Sequence, residues 1–394
     1  MSDLTAKLPT LGYCTNVHAG ADLEETRANL ENYALAVKRR VSPEAPMGIG
    51  LWLSAQTAWE LVESESTREF ADWLLERGLH AFTLNGFPFG DFHQEVVKHQ
   101  VYHPNWADSD RLEYTLDLVT LLGRFLGEAT EGSISTLPVG WREDLQEHSL
   151  VSQAAANLLE AVSFLEMFEQ ETGKLIHLDL EPEPGCYLDR SRDVVDFFKN
   201  FLLRKGKEEK VLRYLRVCHD ICHSAVMAED QAEAFENYRT LGIRIGKVQV
   251  SSAVRVDFDT LDSEAAARAF SALFQFQEHR YLHQTTFTPK GGEPVLHTDL
   301  PIALTAAQAM GKPSGEWRVH FHVPIFQENL ESLGTTQGEI LEGLALLRDF
   351  PETRHYEVET YAWGVLPEAH RAGDLAEGIA REMIWMRERF PEIS

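Results

Sequence analysis

Short apolar runs alternate with longer amphipathic stretches along the chain, the pattern of successive βα units around a mainly parallel sheet. Strand-length runs fall at 11–17, 47–53, 81–84, 133–137, 175–180, 214–220 and 245–250. Between them, apolar residues recur at helical spacing. Leu23, Leu30, Tyr33 and Val37 lie near one face, and Phe70, Trp73 and Leu74 follow a Ser66/Glu69 pair with capping-box spacing. Ser54 is placed to cap another helix. Gly173, Gly206 and Gly242 suit helix ends. Pro182 and Pro184 cannot donate to a ladder, so the 175–180 strand stops before them.

From residue 281 the pattern becomes irregular. The runs 281–288 and 294–297 flank Lys290-Gly291-Gly292 and predict a hairpin inserted over 281–298, with a short helix at 301–310. Two more strand candidates, 319–323 and 356–361, are each followed by a helix. Nine strands then compete for the eight places of a barrel, so one is an edge, a lid or an insertion. No repeat or linker divides the chain. The expectation is one α/β domain over 1–394, a (β/α)8 barrel with an extra hairpin or strand insertion in its C-terminal third.

The composition supports a large core and narrows the partners. Hydrophobic residues make up 44% of 394, and 36 basic against 62 acidic residues leave a net charge of −26. That balance repels nucleic acid, whose binding draws on Lys and Arg, and disfavours an anionic membrane surface. No apolar stretch approaches the roughly 20 residues that span a bilayer, and residues 1–10 lack the apolar core of a secretory signal. Cys14, Cys186, Cys218 and Cys222 fall in or beside strands and form no disulfide framework. Reduced thiols and a cytoplasmic location are expected. No phosphate-binding glycine loop, dinucleotide fingerprint or nucleophile elbow is present.

In a parallel barrel the active site is built at the carboxyl ends of the strands, and those ends are rich in polar groups. Strand one ends in Asn16 and His18, strand three in Asn85, strand five in Glu181 and Glu183, and strand six in Asp220 and His223. Strand seven carries Gln249, and His283 lies in the presumed hairpin. His320 and His322 share one strand face, as do Glu357 and Glu359; His322 and Glu359 are nearer their strand ends. A divalent cation wants carboxylate, imidazole and carbonyl oxygen together, which neighbouring strand ends supply. Glu181 and Glu359 are the catalytic candidates. Glu181, Asp220, His223 and Glu359 are the metal candidates, with Gln249, His283 and His322 as further ones; His18 and Asn85 are placed to bind substrate. His177, His219 and His320 fit an interior or wall role. The metal is Zn, Mn, Fe or Mg.

Leu-Glu-Pro-Glu at 180–183, Asp-Ile-Cys-His at 220–223 and Val-Glu-Thr at 358–360 resemble the xylose-isomerase-like barrel superfamily, which includes sugar 3-epimerases and endonuclease IV. Longer blocks, among them Gly-Tyr-Cys-Thr-Asn-Val-His at 12–18, Phe-Thr-Leu-Asn-Gly-Phe-Pro at 82–88 and Trp-Arg-Val-His-Phe-His-Val-Pro at 317–324, are similar to EboE, the "metabolite traffic" barrel of bacterial ebo clusters. The resemblance implies a small-molecule metabolite of secondary metabolism and other ebo-cluster proteins as partners. It maps Glu181, Asp220 and Glu359 onto metal-binding or acid–base positions. Relatives place a metal-binding His where this chain has Gln249, which leaves room for His283 or His322 to substitute.

Metal-assisted isomerisation or epimerisation of a small polyhydroxy or carbonyl compound is the leading expectation. A metal-dependent phosphoester hydrolase and a non-catalytic metabolite carrier are its alternatives.

Overall fold

The computed structural model of the chain describes residues 10–64, 66–203, 205–311, 313–371 and 373–393. The stretch 1–9, in which a secretory signal was sought, lies outside them. Seven strands appear first in chain order: β1 (Thr10–Tyr13), β2 (Met47–Trp52), β3 (Leu79–Asn85), β4 (Glu131–Thr136), β5 (Leu175–Leu180), β6 (Leu215–Asp220) and β7 (Ile245–Val250). Six more, β8 (Ser252–Asp257), β9 (Thr285–Thr288), β10 (Val295–His297), β11 (Glu316–Val323), β12 (Asn329–Leu330) and β13 (Leu333–Thr335), precede β14 (His355–Val358).

Strands β1 to β7 and β14 form one parallel eight-stranded sheet in the order β1-β14-β7-β6-β5-β4-β3-β2. A parallel bridge between Cys14 and Gly50 draws the two end strands together and closes the barrel. Glycines make that seam possible: a Cβ on Gly48 would lie 2.4 Å from the carbonyl oxygen of Leu11, and one on Gly50 would lie 1.7 Å from a carboxylate oxygen of Glu357. Amphipathic helices such as Ser109–Phe125, His148–Thr172 and Leu375–Arg389 pack their apolar faces around the barrel. Among the described residues no helix is long and apolar enough to cross a membrane.

The ninth strand candidate is resolved by the insertion. Strand β11, which covers 319–323, pairs antiparallel with β8 and β9 and belongs to a second, six-stranded sheet in the order β10-β9-β11-β8-β13-β12. The hairpin expected over 281–298 is present as β9 and β10, but it is only one edge of that sheet. The whole insertion runs from the end of β7 to the helix Gln337–Leu347, and a single residue, Ser251, separates β7 from β8. Periodicity alone does not separate β11 from a barrel strand, because both are buried apolar runs followed by a helix.

Smaller differences have local causes. The first strand stops at Tyr13 and the chain turns at Thr15–Val17. The last stops at Val358, so Glu359 stands just past it. Ser54 caps its helix through the amide of Thr57, whereas Ser66 makes no capping bond and Glu69 pairs with Arg27 instead. The four cysteines are buried and free.

Two interactions fix the mouth. Arg111, fully buried, donates to the carbonyls of Gly86, Phe87 and Pro104 and pins the long loop after β3. Glu382 accepts from the Thr360 hydroxyl at 2.6 Å, the Ile325 amide at 3.1 Å and the Trp363 indole at 3.1 Å. It ties the last helix to the residue beside Glu359.

Two outcomes follow from this packing. Gly50→Ala forces a methyl group into the Glu357 carboxylate and is expected to cost about 1–3 kcal/mol or more, read as a lowered melting temperature. Burial pushes the Glu382 carboxyl up to about 7 against an ordinary 4.5. As pH rises between those values, the unfolded chain loses this proton before the folded one does. Wild type therefore loses about 3 kcal/mol that it holds below pH 4.5. Glu382→Gln, always neutral, should gain on wild type by up to that amount between pH 4.5 and 8 in denaturant titrations.

Candidate metal centre

Glu181 stands one residue past β5, Asp220 ends β6, and Glu359 stands one residue past β14. All are buried at the carboxyl-end mouth, and one oxygen from each lies within 4.8 Å of the other two. Asp220 caps the helix Ile221–Val226 by accepting from the amide of His223 at 2.9 Å. This turn carries both residues of the Asp-x-x-His pair to one point, with Nε2 of His223 3.9 Å from Oδ2 of Asp220.

Two more imidazoles arrive from the inserted sheet. Nε2 of His320 lies 3.1 Å from Nε2 of His223 and 3.2 Å from Nε2 of His322. Nε2 of His322 is in turn 4.0 Å from Oδ2 of Asp220. The opposite nitrogen of each ring faces an oxygen that can only accept. Nδ1 of His223 meets the carbonyl of Pro182 at 2.9 Å, and Nδ1 of His322 meets the carbonyl of Glu359 at 2.7 Å. Nδ1 of His320 meets Oε1 of Gln284 at 2.6 Å. The Gln284 amide is oriented by its own Nε2, which donates to the carbonyl of Pro184 at 3.1 Å. Each Nδ1 therefore carries a proton, and the Nε2 atoms are left to face one another across the cluster.

Three lone pairs at this spacing repel unless a proton or a cation lies among them. Burial, joined by His223, His322 and His283, holds His320 well below the ordinary imidazole range. Burial also lowers His322 to about 4, so both rings are neutral near pH 7. A tetrahedral ion with nitrogen ligands at about 2.0–2.1 Å sets its nitrogens about 3.3 Å apart, close to the spacing of these rings. Asp220 adds a carboxylate to two of these rings, with one donor atom each of Asp220, His223 and His322 within 4.8 Å of one another. Its Oδ1 accepts from Ser251 at 2.7 Å and from the His223 amide, while Oδ2 has no hydrogen-bond partner. The residues present fit a divalent cation, and their hydrogen-bonded Nδ1–H groups are the outer-shell orientation such sites use.

The glutamates beside this group differ in their surroundings. Oε1 of Glu359 accepts from Nδ2 of Asn16 at 2.8 Å and Nδ2 of Asn85 at 3.0 Å. Oε2 of Glu181 has no partner. Burial, then Glu359 and Asp220, push Glu181 well above the usual carboxylate range. Burial, then Asp220 and Glu357, do the same to Glu359. Two carboxylates so close and so buried cannot both ionise cheaply.

Asn85 thus reaches the cluster, and three other expected residues do not. His18 bonds to the Tyr13 hydroxyl at 3.1 Å and stacks on Tyr33, lining a separate pocket. Gln249 lies deeper, 3.5 Å from Oε1 of Glu357. His283 has both nitrogens engaged, with the His320 carbonyl and Glu278 at 2.8 Å each, and its ring packs on Phe321 behind β11. His320, expected in a wall, faces the cluster. Its signal was the His-x-His alternation on a strand surplus to the barrel. Glu183 and Cys222 also border the imidazoles.

No family model and no curated protein sequence matches the chain. Solved structures do. A xylose isomerase-like TIM barrel protein from Mycobacterium smegmatis in complex with magnesium is 11% identical, with 98% of each chain covered and a TM-score of 0.51. A D-tagatose 3-epimerase-like protein is 12% identical, with 97% of each chain covered and a TM-score of 0.50. The IOLI protein with a bound zinc atom is 10% identical, covering 97% of this chain and 98% of its own, with a TM-score of 0.47. The fold is a xylose-isomerase-like (β/α)8 barrel.

Removing one imidazole should weaken zinc binding by about 100-fold or more in His320→Ala and in His322→Ala, measured by competition with a chromophoric chelator. His283→Ala should keep the wild-type metal content.

Proposed function

We propose that this chain is a metal-dependent enzyme that moves a proton at a carbon beside a carbonyl group of a small oxygenated metabolite, an isomerase or epimerase in reaction class. The observation that carries this is the three imidazoles whose Nδ1 atoms face oxygen acceptors, leaving their Nε2 atoms gathered together, with those of His223 and His322 beside Asp220. His320 and His322 supply the imidazoles that Gln249 does not.

A divalent ion held by His223, His320, His322 and Asp220 would supply a Lewis acid that polarises a carbonyl oxygen. Glu181 and Glu359 are then left to handle protons. They come from β5 and from the residue after β14, three strands apart around the barrel. Their raised affinities for protons suit one as acid and the other as base near neutral pH. Asn16 and Asn85 hold the Glu359 carboxylate in place, and Glu181 keeps an oxygen free for the substrate.

A second reading rests on Asp220, which belongs to both the histidine group and the Glu181–Asp220–Glu359 group. Two ions sharing that carboxylate would suit phosphoester hydrolysis. The EboE likeness of the sequence blocks supports work on a secondary metabolite, beside other ebo-cluster proteins and in the cytoplasm.

Elemental analysis of protein purified without chelators is expected to find one ion per chain; two ions would favour the hydrolase. Screening carbonyl metabolites in deuterated water should reveal exchange at the carbon beside the carbonyl. Glu359→Gln should keep the metal and lose at least about 100-fold in exchange rate. Unchanged exchange in that variant would overturn the assignment, and a tightly retained ligand with no conversion would identify a carrier.

A further inference from the structure

We infer that the substrate of this site carries an uncharged, apolar body joined to the metal-binding oxygens at one end. The inference rests on the metal reading above and concerns the space above it.

The cavity over the metal centre is small, about 60 Å³. Its floor and its walls differ in kind. The polar side chains Glu181, Glu183, His223, His320, His322 and Glu359 form the floor. Above them the walls are Phe87, Phe92, Val97, Val101 and Leu282, with the ring of Tyr361. Rings of Phe92, Tyr281 and Tyr361 pack mutually with centroids 5.0 to 5.4 Å apart, so this side of the cavity is a continuous aromatic surface.

Most of the polar groups among the walls are already engaged. The Tyr102 hydroxyl donates to Oε1 of Glu183 at 2.8 Å and accepts from Gln284 at 3.0 Å. The Tyr281 hydroxyl donates to the Phe92 carbonyl at 3.2 Å. The Nδ2 groups of Asn16 and Asn85 are committed to Glu359. Lys98, the cation of the lining, is paired with Asp299 at 2.5 Å. Among the described residues of this lining, the Tyr361 hydroxyl and Oδ1 of Asn16 have no hydrogen bond.

A sugar phosphate would meet no unpaired Lys or Arg in the lining, and a polyhydroxylated chain would leave most of its hydroxyls facing hydrocarbon. Each hydroxyl left without a partner costs binding energy, whereas an apolar ring gains from leaving water. The walls therefore select an aromatic or alicyclic body, while the floor takes its adjacent oxygens.

The test compares three probes that share one metal-chelating head: acetohydroxamate, benzohydroxamate and gluconohydroxamate. Binding to zinc-loaded protein is measured by calorimetry, with metal content checked afterwards. Benzohydroxamate is expected to bind at least about tenfold more tightly than the other two. Phe92→Ser and the milder Val101→Ser should each narrow that preference, and Tyr361→Phe should keep it. Equal affinities for the three, or a preference for gluconohydroxamate, would overturn the apolar body and leave the metal reading standing. Failure of all three to bind zinc-loaded protein would overturn the metal reading and this inference with it.

Discussion

Nζ of Lys247 lies 2.9 Å from Oε2 of Glu357 with both side chains fully buried, and the rest of the barrel interior is arranged around that pair. Asp179, Glu181, Asp220 and Glu359 are buried in the same enclosure. Lys247, held charged by Glu357 despite its burial, and Arg216, which reaches Glu131 at 3.2 Å, cannot balance them all. Burying an unpaired charge is so costly that excess anions must take up protons or share a cation. The lower part of the barrel uses hydrogen bonds for this. Nδ1 of His177 sits 2.7 Å from Asp179, and Nδ1 of His355 sits 2.8 Å from the Ser133 hydroxyl. The upper part, at Glu181, Asp220 and Glu359, has raised proton affinities at its two glutamates and an array of bare imidazole nitrogens beside them. A cation there relieves both the anion excess and the lone-pair repulsion.

The barrel alone does not build that array. Its seventh strand brings Gln249, which faces Glu357 in the layer below the mouth. Two of the three imidazoles come from β11, an antiparallel strand laid over the mouth by an insertion that begins one residue after β7. Strand alternation points His320 and His322 to the same side, while Phe321 between them packs on Phe276 and His283 in the insertion's own core. The insertion is thus both a lid over the barrel and a source of ligands. Insertion and barrel each orient one of these donors: Gln284, beside β9, orients His320, and the carbonyl of Glu359, just past β14, orients His322.

The same cover decides what can enter. The long loop after β3, anchored by Arg111 and by Trp52, whose indole donates to the Pro88 carbonyl at 3.0 Å, supplies one apolar wall. Residues at the start of the inserted hairpin and just after β14 supply the opposite one. A polar floor beneath mainly apolar walls separates the task of activating oxygen from the task of choosing the molecule that carries it.

Much of this was legible along the chain. Alternating strand and helix patterns define a (β/α)8 barrel, and strand-end positions single out Glu181, Asp220, His223 and Glu359, because a parallel strand must deliver its last residue to the mouth. Asp-x-x-His is read locally, since an Asp that caps a helix brings the residue three positions on beside it. What the order of residues cannot decide is which apolar run joins the barrel, because β11 and a true barrel strand have the same burial period and the same following helix. Only the tertiary structure, through antiparallel hydrogen bonding to β8 and β9, takes β11 out of the barrel and sets His320 against His223, 97 positions away. It also turns His283 away and leaves Gln249 and His18 outside the cluster. Ring orientation depends on which oxygen lies behind each Nδ1, and those oxygens belong to distant segments.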